Sequence, residues 1–167
     1  MVGEIATILE ALNREGARYL IVGGVAAVLH GHLRTTADLD LVLQLERENV
    51  LRGLRALDRV GYRPRAPVPA ESFADRETRE AWIREKGLTV FSFWSSAGSA
   101  LSVDLFVAEP FDFDAAYARA PRLSLGSVEA PVLALDDLIE MKTRAGRPID
   151  AADVEALRAI RGARGPA

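Results

Sequence analysis

The segment IVGGVAAVLHGHLRTTADLDLVLQ, residues 21 to 44, places two aspartates either side of a leucine in an otherwise apolar run. Burying a carboxylate is costly, so a chain that does this needs a compensating partner. Strand side chains alternate, so Asp38 and Asp40 share one face while Leu39, Leu41 and Leu43 point into a core. Gly23 and Gly24 stand between an apolar strand, Tyr19 to Val22, and a short helix, Val25 to His32, that closes near Gly31. A glycine turn opening a helix lets an anion approach backbone N–H groups. The stretch therefore predicts a buried strand, a turn, a short helix and a second strand with paired carboxylates at its entrance.

Two carboxylates a strand pitch apart repel one another, and a hard divalent cation relieves that repulsion. Mg²⁺ or Mn²⁺ suits an all-oxygen site of this kind. A third carboxylate would let the pair hold two ions for in-line phosphoryl chemistry. Asp104, in Leu101-Ser-Val-Asp-Leu-Phe-Val107, is the best candidate because it too interrupts an apolar strand. Asp112 and Asp114 fall in a loop or helix start and read as solvated. Arg34 lies in the loop before the aspartates and either reaches a phosphate or solvates the loop. A lone D-x-D is common; the glycine turn, Arg34 and the paired aspartates together suggest one site for a triphosphate and its metal.

Elsewhere the pattern alternates helices and strands without the regularity of a doubly wound sheet. Val2, Ile5, Ile8, Leu9 and Leu12 form a helical stripe over residues 2 to 15, and Val50, Leu51, Leu54, Leu57 and Val60 form another over 46 to 60. Residues 61 to 73 hold three prolines and no period, and read as a loop or lid. A charged helix over 74 to 86 precedes strands at 88 to 94 and 101 to 107. A short helix over 111 to 119 and extended pieces over 122 to 135 follow. Asp136 or Asp137 is expected to cap a helix ending at Ala145, and Asp137 with Glu140 has capping-box spacing. Asp150 is expected to cap a last helix bearing Val154, Leu157 and Ile160. Trp82 and Trp94 read as core or groove aromatics, and His32 as helix-end packing.

At 167 residues the default is one domain, 1–167. The absence of cysteine removes disulfides and thiolate metal sites and fits a reducing cytoplasm. No signal peptide and no run long enough to cross a membrane are visible. A net charge of −3 argues against a protein that holds nucleic acid by bulk charge. The stretch from Lys142 to Arg164 nonetheless has six basic residues against three acidic ones, which leaves room for a local phosphate-facing surface.

Gly23-Gly24, then thirteen residues, then Asp38-x-Asp40, with a later single Asp104, resembles the DNA polymerase β-type nucleotidyltransferase superfamily. The closer resemblance is to minimal bacterial nucleotidyltransferases of the AbiEii toxin type. It rests on Arg34-x-Thr36-x-Asp38-x-Asp40, Leu138-Ile-Glu-Met-Lys142 and Ala145-Gly-Arg-Pro-x-Asp150, in that order over roughly residues 16 to 160. The resemblance implies an α/β (α+β) nucleotidyltransferase fold: a small mixed twisted sheet packed with helices, with a C-terminal helical pair. It implies transfer of an NMP from an NTP to an acceptor hydroxyl on tRNA or protein, and a cognate antitoxin as partner. On that reading Asp38, Asp40 and Asp104 are catalytic and hold metal, while Gly23, Gly24, Arg34 and Lys142 bind the nucleotide. Many superfamily members have Gly-Ser at the turn, whereas this chain has Gly24 in the serine's place. Gly-Gly also occurs in antibiotic adenylyltransferases of that fold. Two rival readings remain: adenylation of a small cationic antibiotic, which an acidic pocket would favour, and a non-catalytic nucleotide- or partner-binding domain. Without the resemblance, Lys142 reads as a surface lysine on an amphipathic helix.

Overall fold

The computed structural model describes residues 1–164. Seven α-helices in the described residues pack around a mixed five-stranded sheet, with a two-stranded hairpin beside it. The strands are β1 (Tyr19–Ile21), β2 (Asp38–Leu43), β3 (Tyr62–Pro64), β4 (Val90–Ser95) and β5 (Ser102–Phe106), in spatial order β1-β2-β5-β4-β3. Among the described strands of this sheet, β2 and β5 run parallel and the other pairs are antiparallel. The hairpin joins β6 (Arg122–Leu125) to β7 (Val128–Pro131).

The two apolar stripes become helices α1 (Val2–Arg14) and α3 (Arg47–Arg59). Ile8, Leu9 and Leu12 from α1 and Val50, Leu54 and Leu57 from α3 are buried in one core with Leu39, Leu41, Phe91, Phe93, Val103 and Leu105 of the sheet. The opposite face of β2, β5 and β4 carries Asp40, Asp104, Ser92 and Phe106, all half-buried. Helices α2 (Gly23–Leu29), α6 (Leu135–Ala145) and α7 (Pro148–Arg164) flank the Asp40 side of that face, and α6 packs against α7 as a C-terminal pair. No helix in the described residues is long and apolar enough to cross a membrane.

Four local expectations are corrected. Helix α2 begins at Gly23 and ends at Leu29, because the glycines belong to its first turn. Residues 61 to 73 contain β3 and lead into a 3₁₀ turn, Ala70–Ala74. The Tyr62 hydroxyl anchors β3 by donating to Glu4 at 2.8 Å, and Phe73 is fully buried, so this segment is pinned down at both ends. Helix α6 has Ala134 at its N-cap with no side-chain cap. Asp137 instead takes two hydrogen bonds from Arg119, while Glu140 pairs with Arg144. Asp150 lies inside the first turn of α7, and its side chain joins a buried ion network.

Candidate active site

Asp40 and Asp104 are register partners on the parallel strands β2 and β5, so their side chains stand side by side on one face. The Gly24 N–H reaches the Asp40 carboxylate, and the Val22 N–H donates to the Asp40 carbonyl at 3.0 Å. Gly23 has φ +64° and presses on the same carboxylate: a Cβ there would lie 1.9 Å from Asp40 Oδ2. Burial, the neighbouring Asp104 and, more weakly, Asp38 push Asp40 up to about 6, against the opposing pull of the Gly24 N–H. Asp104 Oδ1 is buried with no hydrogen-bond partner. Asp38 sits at the exposed strand entrance, where its Oδ1 accepts from the Ser102 hydroxyl.

Asp40 and Asp104 line a cavity of about 510 Å³. Gly23, Asp40, Asp104 and Lys142 line it together with Arg144, Arg147 and Asp150. An apolar wall of Val90, Phe106, Pro110, Leu138 and Met141 completes it. Four of the seven sequence-predicted site residues are thus brought together, while Gly24, Arg34 and Asp38 lie outside the lining.

Lys142 is not a surface lysine. It is buried, and its Nζ donates to Asp150 Oδ1 at 3.2 Å and Asp153 Oδ2 at 2.7 Å. Arg34 pairs with the same Asp153 oxygen, and His32 Nε2 lies 3.1 Å from the other. Arg147 holds Asp150 through both Nε (2.6 Å) and Nη2 (3.2 Å). Burial pushes Asp150 and Asp153 up, but hydrogen bonds from the surrounding cations outweigh it and hold both below the usual carboxylate range. The network ties the loop before β2 to α6 and α7, and one end of it opens into the cavity. Arg34 is therefore an anchored side chain of this network rather than a loop cation in solvent.

Asp153 is the residue that sequence reasoning missed. Its signal is modest: Asp150 and Asp153 are i, i+3 neighbours, so they share a helix face, and Asp153 sits directly beside the buried Val154. Gly24 also gains a local explanation. A Cβ there would lie 2.6 Å from Thr36 Oγ1 and 2.9 Å from its Cβ, so the Thr36 side chain occupies the space a serine would need.

Two adjacent carboxylates, one with an unpartnered buried oxygen, fit a hard divalent cation. Among the described residues, no three acidic or histidine side chains are already gathered as an ion site, and Asp38 is bonded to Ser102.

No protein-family model matches the chain, and no curated protein matches it. Two solved structures of ANT(2'')-Ia are similar to it. A solution structure, described as that of an antibiotic-resistance factor with substrate-regulated conformation dynamics, is 18% identical with a TM-score of 0.56. That match covers 98% of this chain and 91% of the other. A crystal structure of ANT(2'')-Ia in complex with adenylyl-2''-tobramycin is 16% identical with a TM-score of 0.55, and 98% of each chain is covered. At this identity the likeness concerns the fold, and with the sheet topology it establishes a nucleotidyltransferase-type fold.

Proposed function

We propose that the protein is a metal-dependent nucleotidyltransferase that moves an NMP from an NTP to an acceptor hydroxyl. The observation that carries this reading is the Asp40–Asp104 pair, with its unpartnered Asp104 oxygen, in a cavity whose wall presents Lys142, Arg144 and Arg147. Asp40 and Asp104 would hold Mg²⁺ or Mn²⁺, with Asp38 one strand step away as a third ligand. When bound, the ion neutralises the carboxylates and the phosphate charge. Arg144 and Arg147 face the triphosphate, and Gly23 keeps the cavity floor clear of a side chain. The acceptor oxygen attacks the α-phosphorus, the bond to the β-phosphate breaks, and pyrophosphate leaves. Asp104 would help to place the acceptor hydroxyl, whose proton passes to solvent.

For the acceptor, the charge of the cavity favours an RNA end such as that of tRNA over a polycation. Asp150 is committed to Lys142 and Arg147, and Asp40 and Asp104 to the ion, which leaves no carboxylate in the lining for an amine. A second reading, transfer to an aminoglycoside-like molecule, draws on the fold neighbour solved with adenylyl-2''-tobramycin. The AbiEii-type reading adds a cognate antitoxin or a protein acceptor. Calorimetry with each NTP and Mg²⁺ tests the core of the proposal. The parent should bind NTP more tightly with the ion than without it, and Asp40→Asn with Asp104→Asn should abolish that difference. An unchanged difference would falsify the assignment. Labelled NTP incubated with total tRNA, cell protein or tobramycin then identifies the acceptor.

A further inference from the structure

A second groove, of about 310 Å³, adjoins the candidate active cavity and shares Val90 with it. It forms where β3 stops. Beyond Pro64, Arg65 donates its N–H to the Ser92 carbonyl at 2.9 Å, and the β3–β4 pairing ends there, leaving the first residues of β4 unpaired on that side. Helix α4 (Arg76–Lys86) fills the gap with Trp82, whose ring stacks on Phe91 at 4.9 Å and 14°. Arg65 and Lys86 line the groove, both exposed. Neither is paired with a carboxylate among the described residues, unlike Arg63, which is held by Asp58 at 2.6 Å.

A half-buried aromatic face between two unpaired cations suits a ligand that is both flat and anionic. Resting on the RNA-acceptor reading above, we propose that this groove binds a nucleotide of a single-stranded RNA acceptor next to its reacting end. The base lies against Trp82, and the phosphodiester lies between Arg65 and Lys86. The strand order supports the connection. Ser92 is the register partner of Asp104, and Arg65 follows on the next strand. The path from Asp104 to Arg65 is two strand spacings, roughly 10 Å, within the reach of a dinucleotide. The two cations without a carboxylate partner disfavour a polycation in this groove.

The test uses a short single-stranded oligoribonucleotide and the full chain. The protein has two tryptophans, so Trp94→Phe leaves Trp82 as the sole tryptophan; Trp94 is 50% exposed, and the change is tolerable for folding. Adding the oligonucleotide should quench Trp82. Arg65→Gln with Lys86→Gln should weaken oligonucleotide binding about tenfold and flatten the log–log salt slope by ~0.7, the value for one phosphate on a single strand. NTP affinity should stay within twofold. Arg52→Gln, an equal charge change on an exposed residue of α3, should leave binding as in the parent. The groove assignment is overturned if the double variant binds the oligonucleotide with parental affinity and slope, or if the parent does not bind it. If NTP binding with Mg²⁺ persists in that case, nucleotidyl transfer stands and only the groove and the RNA acceptor fall. Absence of NTP binding is instead the failure of the transferase reading, and the oligonucleotide arm still decides the groove.

Discussion

Gly23 holds the least replaceable position in the site, for two separable reasons. Its φ of +64° disfavours any side chain, and the Asp40 carboxylate fills the space where a Cβ would be. Gly23→Ala should therefore lower unfolding free energy by about 2–4 kcal/mol, combining left-handed strain with overpacking. Adding Asp40→Ala should recover the overpacking part, about 1–3 kcal/mol. Urea denaturation of the two single variants and the double variant measures that coupling. Equal costs of Gly23→Ala with and without the Asp40 side chain would show that the contact is not the cause. Gly24 is limited differently, by Thr36, whose hydroxyl donates to the Asp38 carbonyl at 3.1 Å. Replacing Gly24 by serine would push Thr36 away from the strand entrance, so a serine at the turn is not a simple gain of a hydroxyl here.

Helices α6 and α7 are joined at their charged faces as well as their apolar ones. Lys142 is buried between Asp150 and Asp153, so removing it takes one cationic partner from each, leaving Asp150 to Arg147 and Asp153 to Arg34. Lys142→Met should cost about 1–3 kcal/mol at neutral pH, the loss of a charged hydrogen-bond partner. The pH dependence follows from the sign of the shifts. Asp150 and Asp153 are held below their ordinary values, so they add stability above the unfolded-state pKa and lose it as the pH falls through the folded one. The gap in Tm between parent and Lys142→Met should be widest near pH 7 and narrow below about pH 4. A constant gap across that range would show that the network is not the source. This cluster was poorly legible in the sequence for a physical reason. Lysine and aspartate on amphipathic helices look solvated, and only the packing of α6, α7 and the loop bearing Arg34 brings their charges together. The α1 and α3 stripes were legible because burial repeats with the helical period. Strand β3 was not, since three residues, the last of them Pro64, carry no period and its pairing is with the distant β4.

Across the molecule, Asp40 and Asp104 could each be picked out in the sequence because each breaks an apolar strand, but the sequence pairs Asp40 with Asp38, and the parallel β2–β5 register is what sets it beside Asp104. The basic stretch from Lys142 to Arg164 could be counted but not assigned, because ion pairing is tertiary. Lys142 is buried, Arg161 pairs with Asp136 at 2.9 Å, and Arg164 donates to the His30 carbonyl at 2.8 Å. What remains at the cavity is Arg144 and Arg147, so the charge that discriminates acceptors is local, within a chain of net charge −3. Arg147 also supports the buried Asp150, whereas Arg144 pairs only with the exposed Glu140 on its own helix, a weak interaction. Arg144→Glu is therefore the clean probe: it reverses one cavity charge and leaves the network intact. With Mg²⁺ present, the parent should bind an RNA fragment in a salt-sensitive way and tobramycin only weakly. Arg144→Glu should weaken RNA binding several-fold and strengthen tobramycin binding, with both changes shrinking as salt rises from low to physiological. Calorimetry on the two ligands at two ionic strengths reads this directly. Tight tobramycin binding by the parent, indifferent to Arg144→Glu, would place the small-molecule acceptor ahead of the RNA end. The cavity would then have to recognise amines through Asp40 and Asp104 themselves, and the divalent ion and the antibiotic would compete for the same carboxylates.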